Sequence, residues 1–208
     1  MNKITKKKEI KKNNLLHSAY KLFTTVGFSK TTVLNIALNA GVGKGTFYLY
    51  FESKEEIRDI LIMEKSSNLL LSALTALDTT IKTTEKEIEL TVSDKVIFII
   101  DYILNTLSED LDLLQFISKN LTWGLFEKTK YIKEKNNNIL DFYSFVSDLM
   151  EKDKIKFQNP LLMIYTIIEL VNSSCYRIIL YNEPVCFEEY KTYLYHVIRV
   201  IVNDSILS

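Results

Sequence analysis

The chain has 208 residues, with 26 basic and 26 acidic side chains, 2 histidines, 2 cysteines, 5 glycines and 2 prolines. That length can bury a sizeable core in one or two domains. So few chain breakers, with Pro160 and Pro184 both late, favour an all-α fold. Cys175 and Cys186 make neither a disulfide framework nor a metal-ligand pattern, and two histidines leave no catalytic constellation to assemble. No metal, cofactor or enzymatic activity is therefore expected.

The first predicted element is a helix over about residues 8–26, with Leu16, Ala19, Tyr20 and Phe23 on its inner side and Gly27 ending it. Lys3, Lys6, Lys7, Lys8, Lys11 and Lys12 form a basic arm leading into it. The arm lacks the apolar segment of a signal peptide, and a cytoplasmic protein is expected. Residues 1–51 hold nine lysines against the single acidic Glu9, a net of +8, so the remaining 157 residues carry −8. A basic first quarter on an acidic remainder suits a DNA-binding head joined to a body kept off DNA.

The stretch 31–51 then reads as two short helices and a tight turn. Thr31-Thr32 open the first, where a hydroxyl can accept from free backbone N–H groups. Val33, Ile36, Ala37 and Ala40 give it one apolar face, and Gly41 stops it. The second helix is expected over about residues 44–51. Phe47 and Phe51 share its inner face, while Lys44, Thr46, Tyr48 and Tyr50 point outward, a set suited to phosphate oxygens and thymine methyls. Gly43 and Gly45 keep the backbone open to close approach.

These residues resemble the TetR family of bacterial transcriptional regulators. The resemblance rests on Thr32, Ile36-Ala37, Ala40-Gly41-Val42, Lys44-Gly45-Thr46, Phe47 and Tyr48-Leu49-Tyr50-Phe51. Leu15-Leu16, Ala19, Leu22-Phe23 and Gly27-Phe28 lead into it, and Ser53-Lys54-Glu55-Glu56 lead out. Gly43 departs from the serine frequent in the family, which removes one cap or phosphate contact. The match covers about the first 60 residues and implies a dimer. The DNA-contacting set is expected to be Thr31, Thr32, Lys44, Gly45, Thr46, Tyr48, Tyr50 and Lys54.

Ser53 and Glu56 form a capping box for a fourth helix, expected to run to about Asp78 and to link head and body. Its positive N-terminal end and Lys54 point toward the DNA side. The division is therefore a DNA-binding head, residues 1–52, and a helical ligand-binding and dimerisation body, residues 53–208. Further helices are expected over 92–108, 110–118, 119–135, 136–152, 160–181 and 186–205, with 79–89 and 152–159 as connections. Body aromatics at helical spacing are usually core. Here Phe98, Tyr102, Phe116, Trp123, Phe126, Tyr143, Tyr165 and Tyr176, with Glu169, could line an apolar pocket for a small molecule.

Residues 161–181 are long and mostly apolar, but Glu169, Asn172 and Arg177 argue against a membrane span. Together with Val197, Ile201 and Val202 of the last helix, this segment is expected to pair about a two-fold axis as an intermolecular four-helix bundle. The reading is a homodimeric, ligand-responsive repressor on a palindromic operator, released by a small apolar or aromatic molecule. A TetR-like architectural DNA binder without an effector is the alternative. A helical enzyme or lipid-binding protein whose basic head docks on acidic surfaces is the third.

Overall fold

The structure, a computed structural model, describes residues 3–83, 90–120 and 142–207. For residues 3–4, 119–120 and 142–146 it describes the backbone alone. Nine helices lie within these stretches: α1 Lys3–Thr25, α2 Val33–Asn39, α3 Lys44–Phe47, α4 Lys54–Thr83, α5 Val92–Glu109, α6 Leu111–Asn120, α7 Phe142–Asp153, α8 Pro160–Tyr181 and α9 Phe187–Asp204. Strand pairing among the described residues is one isolated antiparallel bridge, Phe157 with Ile206, which ties the end of the chain to the loop before α8. Residues 121–135 of the expected helix 119–135 and the start of 136–152 lie outside the described residues, while residues 119 and 120 end α6.

The caps fall where the side chains dictate. Pro160 starts α8 in the first turn, and the Asn159 side chain accepts from the Leu162 N–H at 3.2 Å. Ser53 Oγ accepts from the Glu56 N–H at 3.1 Å, while the Glu56 carboxylate accepts from the Glu52 N–H, one residue earlier than a standard capping box. α4 outruns its predicted end at Asp78. It continues past its apolar stripe to 30 residues, about 45 Å at ~1.5 Å per residue, with Thr79, Thr80 and Thr83 each returning a hydroxyl to a carbonyl four residues back.

The largest core cluster is continuous from head to body. Leu15, Phe23, Ile36, Phe47 and Phe51 pack in it with Ile60 and Met63 of α4, and Leu107, Leu114, Phe116 and Ile117 of α5 and α6 belong to the same cluster. A second cluster joins α5, α7, α8 and α9 around Leu104, Met163, Leu194 and Ile198. Three polar links fix the antiparallel register of α5 on α9. Asp94 pairs with Arg199 at 2.6 Å, Asp101 accepts from the Tyr195 O–H at 2.5 Å, and Asn105 accepts from Lys191 at 3.1 Å. Burial and the neighbouring Asp101 push the Tyr195 phenol well above its ordinary range, so it stays a donor. Thr91 and Arg199, both hydrogen-bonded to Asp94, hold that carboxyl below its ordinary value and keep it charged.

Among the described residues two helices, α4 and α8, are long and apolar enough to cross a membrane by composition. The difference between them is informative: 56% of the apolar window of α4 is buried inside the protomer, against 22% for α8. Leu161, Leu162 and Tyr165 of α8 and Tyr193 and Val200 of α9 are exposed. Val197 and Ile201, expected at the subunit seam, are half-buried instead, and Ile201 packs on the second core cluster. Val202, also expected on that face, is fully buried. A helix places residues three and four apart on one face, so the outward stripe of α9 runs through Tyr193, His196 and Val200.

Candidate nucleic-acid interface and effector cavity

Thr32 caps α2. Its hydroxyl accepts from the Asn35 N–H at 3.1 Å, and the Asn35 side chain accepts from the Thr32 N–H at 3.1 Å, a reciprocal box built on asparagine. The buried Ser18 hydroxyl donates to the Ile36 carbonyl at 2.8 Å and pins α2 on α1. Sequence reasoning assigned nothing to Ser18, because a serine beside an apolar face carries no signal of its partner. Gly41 turns the chain at φ +69°, and the Val42 N–H donates to the Ala37 carbonyl at 2.9 Å.

α3 then begins at Gly43, which supplies no side-chain cap, and ends at Phe47 rather than Phe51. The chain continues as turns, with the Leu49 N–H on the Thr46 carbonyl at 3.2 Å and the Tyr50 N–H on the Phe47 carbonyl at 2.9 Å. Phe47 and Phe51 are fully buried, their rings 5.7 Å apart, and anchor this segment to the head. Lys44, Gly45, Tyr48 and Leu49 face outward, with Leu49 81% exposed. A Cβ at Gly43 or Gly45 would meet nothing within 4 Å, so the fold itself leaves both positions open.

Three of the expected contact residues are engaged within the head. Thr31 is only 2% exposed, and its hydroxyl donates to the Gly27 carbonyl at 2.8 Å, which spends it closing the α1–α2 loop. Tyr50 is half-buried against the head core, not turned outward beside Tyr48. Lys54 donates to the carbonyls of Phe28 at 3.0 Å and Thr31 at 3.1 Å, with its ammonium 4.4 Å from the Phe28 ring centre. It fastens the start of α4 to the α1–α2 loop. Thr46 is half-buried, and Thr32, though exposed, uses its hydroxyl in the cap.

The arm is helical from Lys3, and Lys6, Lys7, Lys8 and Lys11 are exposed along α1. Deleting residues 1–8 removes four lysines. The slope of log affinity for duplex DNA against log salt should flatten by about 0.9 for every phosphate those lysines neutralise. An unchanged slope would show that the arm touches no phosphate.

Behind the head, a cavity of about 160 Å³ opens between α4, α5, α6, α7 and α8. Its wall is aliphatic: Leu69, Ile99, Ile103, Leu114, Ile117, Met163, Ile167 and Val171 among others. Ser66, Ser118, Asn172 and Tyr176 supply its few polar groups. Burial pushes the Cys175 thiol, also in the wall, up to about 11, so it is a small apolar surface at neutral pH.

Of the aromatic set expected here, Tyr176 alone of the residues with described side chains lines the cavity. Phe98 and Tyr102 pack on a third cluster with Leu70, Ala73 and Leu77 of α4. Tyr165 is 38% exposed on α8, and Glu169 is half-buried on the same helix outside the wall. Phe116 faces the head, its ring edge-on to Tyr20 at 5.3 Å and stacked with Phe23 at 6.3 Å. Trp123 and Phe126 lie outside the described residues, as does the side chain of Tyr143. The missed lining is aliphatic, and aliphatics at helical spacing read from sequence as ordinary core.

Residues 15–59 match the family model described as bacterial regulatory proteins, tetR family. An uncharacterized HTH-type transcriptional regulator, YerO, of Bacillus subtilis (strain 168) is 43% identical over 47 residues, 23% of this chain and 16% of that protein. The fatty acid metabolism regulator protein of the same organism is 35% identical over 65 residues, 31% of this chain and 34% of that protein. The chain thus spans about a sixth to a third of the length of these curated relatives. Among solved structures, Thermus thermophilus FadR, a TetR-family repressor in complex with lauroyl-CoA, superposes with a TM-score of 0.60 at 18% identity, over 95% of this chain and 96% of that one. FadR from Bacillus subtilis in complex with stearoyl-CoA gives 0.57 at 21% identity, over 89% and 96%. At these identities the likeness is one of fold.

Proposed function

We propose that this chain, a member of the tetR family of bacterial regulatory proteins and a DNA-binding transcriptional regulator, is a homodimeric repressor released from a palindromic operator by a long-chain apolar effector. The observation that carries the effector is the cavity, whose described lining residues are mostly aliphatic and which shares Leu69, Leu107, Leu114 and Ile117 with the core that runs into the head. Its wall suits a flexible hydrocarbon chain better than an aromatic ring, because aliphatic side chains offer dispersion contact without stacking partners. The lauroyl and stearoyl groups carried by the ligands of the two FadR proteins support a fatty acyl group as the class.

Two routes lead from cavity to head. Ser66, Leu69 and Leu70 lie in the wall on α4, the helix whose first turn Lys54 ties to the α1–α2 loop. Leu114 and Ile117 lie in the wall on α6, and Phe116 between them meets Tyr20 and Phe23 of α1. A chain filling the cavity displaces both helices and with them the separation of the two heads. The shift equals the difference in the effector's affinity for the two arrangements, no more.

Footprinting on the protein's own upstream region, with and without lauroyl-CoA, tests the reading. A protected palindrome that loses protection with the acyl compound supports it. Protection unaffected by any acyl compound would favour the architectural alternative. Phe116→Ala should still bind lauroyl-CoA but need about five- to a hundredfold more of it for release, since the two aromatic contacts it removes are worth roughly 0.5–1.5 kcal/mol each. Equal release by the wild type and this variant would remove α6 from the mechanism.

A further inference from the structure

The wall of the cavity holds a fully buried polar atom that no described residue satisfies. Ser66 is 7% exposed, lines the cavity, and its hydroxyl is buried with no hydrogen-bond partner among the described residues. The departure is local. Elsewhere on the same helix Thr75, Thr79, Thr80 and Thr83 return their hydroxyls to the carbonyl four residues back. A buried hydroxyl without a partner costs stability, and such groups are rare in folded proteins.

We infer that Ser66 is the residue that reads the effector, and that it selects a neutral carbonyl oxygen carried on an apolar chain. The inference rests on the reading that the cavity takes an effector and narrows its chemistry. A hydroxyl swings about the single torsion χ1, and it can donate to an oxygen brought in beside it. Among the described lining residues there is no lysine, arginine or histidine. A carboxylate drawn into this wall would be desolvated with no cation to meet it, whereas an ester or thioester carbonyl needs only the one donor that Ser66 supplies. Free fatty acids are thereby disfavoured and acyl esters and thioesters favoured. Ser66 also sits on α4, so the bond that recognises the ligand is made to the helix that carries the head.

The test displaces the neutral fluorophore N-phenyl-1-naphthylamine from the full-length chain with three probes of one length: methyl decanoate, decanoate at pH 8, and 1-decene. Wild type should bind methyl decanoate at least about tenfold more tightly than decanoate. Ser66→Ala should weaken methyl decanoate by about five- to tenfold and leave 1-decene unchanged, the size expected for one hydrogen bond. Alanine suits a helix interior, so the variant folds, and its unfolding temperature should equal or exceed that of the wild type. If both proteins bound the ester equally, Ser66 would not read the ligand although the cavity would still be an effector site. If decanoate matched the ester, selection for a neutral oxygen would be overturned. If wild type bound the fluorophore but no probe displaced it, the effector reading itself would fail along with the inference.

Discussion

Tyr48→Ala should abolish specific operator binding while leaving helix content and unfolding temperature nearly unchanged. The expectation follows from where the ring stands. Tyr48 is 52% exposed, its ring meets Phe47 edge-on at 5.4 Å, and it projects from the C-terminal cap of α3 with Phe47 and Phe51 buried behind it. Little is lost from the head when such a ring is removed. On DNA, each good direct contact is worth about 1–3 kcal/mol, and a two-fold dimer makes each contact twice. A loss of about 2–6 kcal/mol per dimer lowers affinity by roughly thirtyfold to beyond ten-thousandfold. Tyr50→Ala is the contrast: that ring packs on the head core, so the change should lower the unfolding temperature. Operator affinity measured by fluorescence anisotropy, beside a thermal melt, separates the two. Wild-type affinity in Tyr48→Ala would remove this helix from DNA recognition.

Val200→Glu should split the proposed homodimer and with it tight binding of the proposed palindromic operator. Val200 is 54% exposed in the protomer, on the outward stripe of α9 beside the scarcely buried α8. A glutamate there costs a lone protomer almost nothing. At a two-fold seam it is desolvated in both copies and faces its own symmetry mate. Uncompensated buried charge costs about 3–5 kcal/mol, which raises the dimer dissociation constant roughly a hundredfold to several-thousandfold. A monomer with one head then loses the gain of binding two half-sites at once. Ile201→Glu fails as a test of the same idea, because Ile201 packs on the protomer's own core and its loss would unfold the body. Sedimentation velocity at micromolar concentration is the measurement. A Val200→Glu variant that stayed dimeric with unchanged operator affinity would place the seam elsewhere.

Much of the head was legible in the sequence because its constraints are local. Gly41 must take a positive φ, Thr32 must cap the turn that follows it, and Phe47 and Phe51 must share a face, all within a few residues of chain. The same locality put Pro160 at the start of α8 and Ser53 at the start of α4. The charge split between residues 1–51 and the remainder needed no structure at all. Together these determined an all-α chain with a basic N-terminal helical head.

The tertiary structure decided which side chains remain free for a partner. Thr31 and Lys54 carry the types that touch phosphate, but carbonyls of Gly27, Phe28 and Thr31, brought near by the packing of α1, α2 and α4, already hold them. Phe116 reads as one more aromatic of a pocket, and only the approach of α6 to α1 turns it toward Tyr20 and Phe23. The cavity was illegible for the same reason. Hydrophobic periodicity marks the face of a helix that leaves water, but not whether five such faces close completely or leave a gap beside Ser66. Periodicity is a property of one helix, and a gap is a property of how several helices meet.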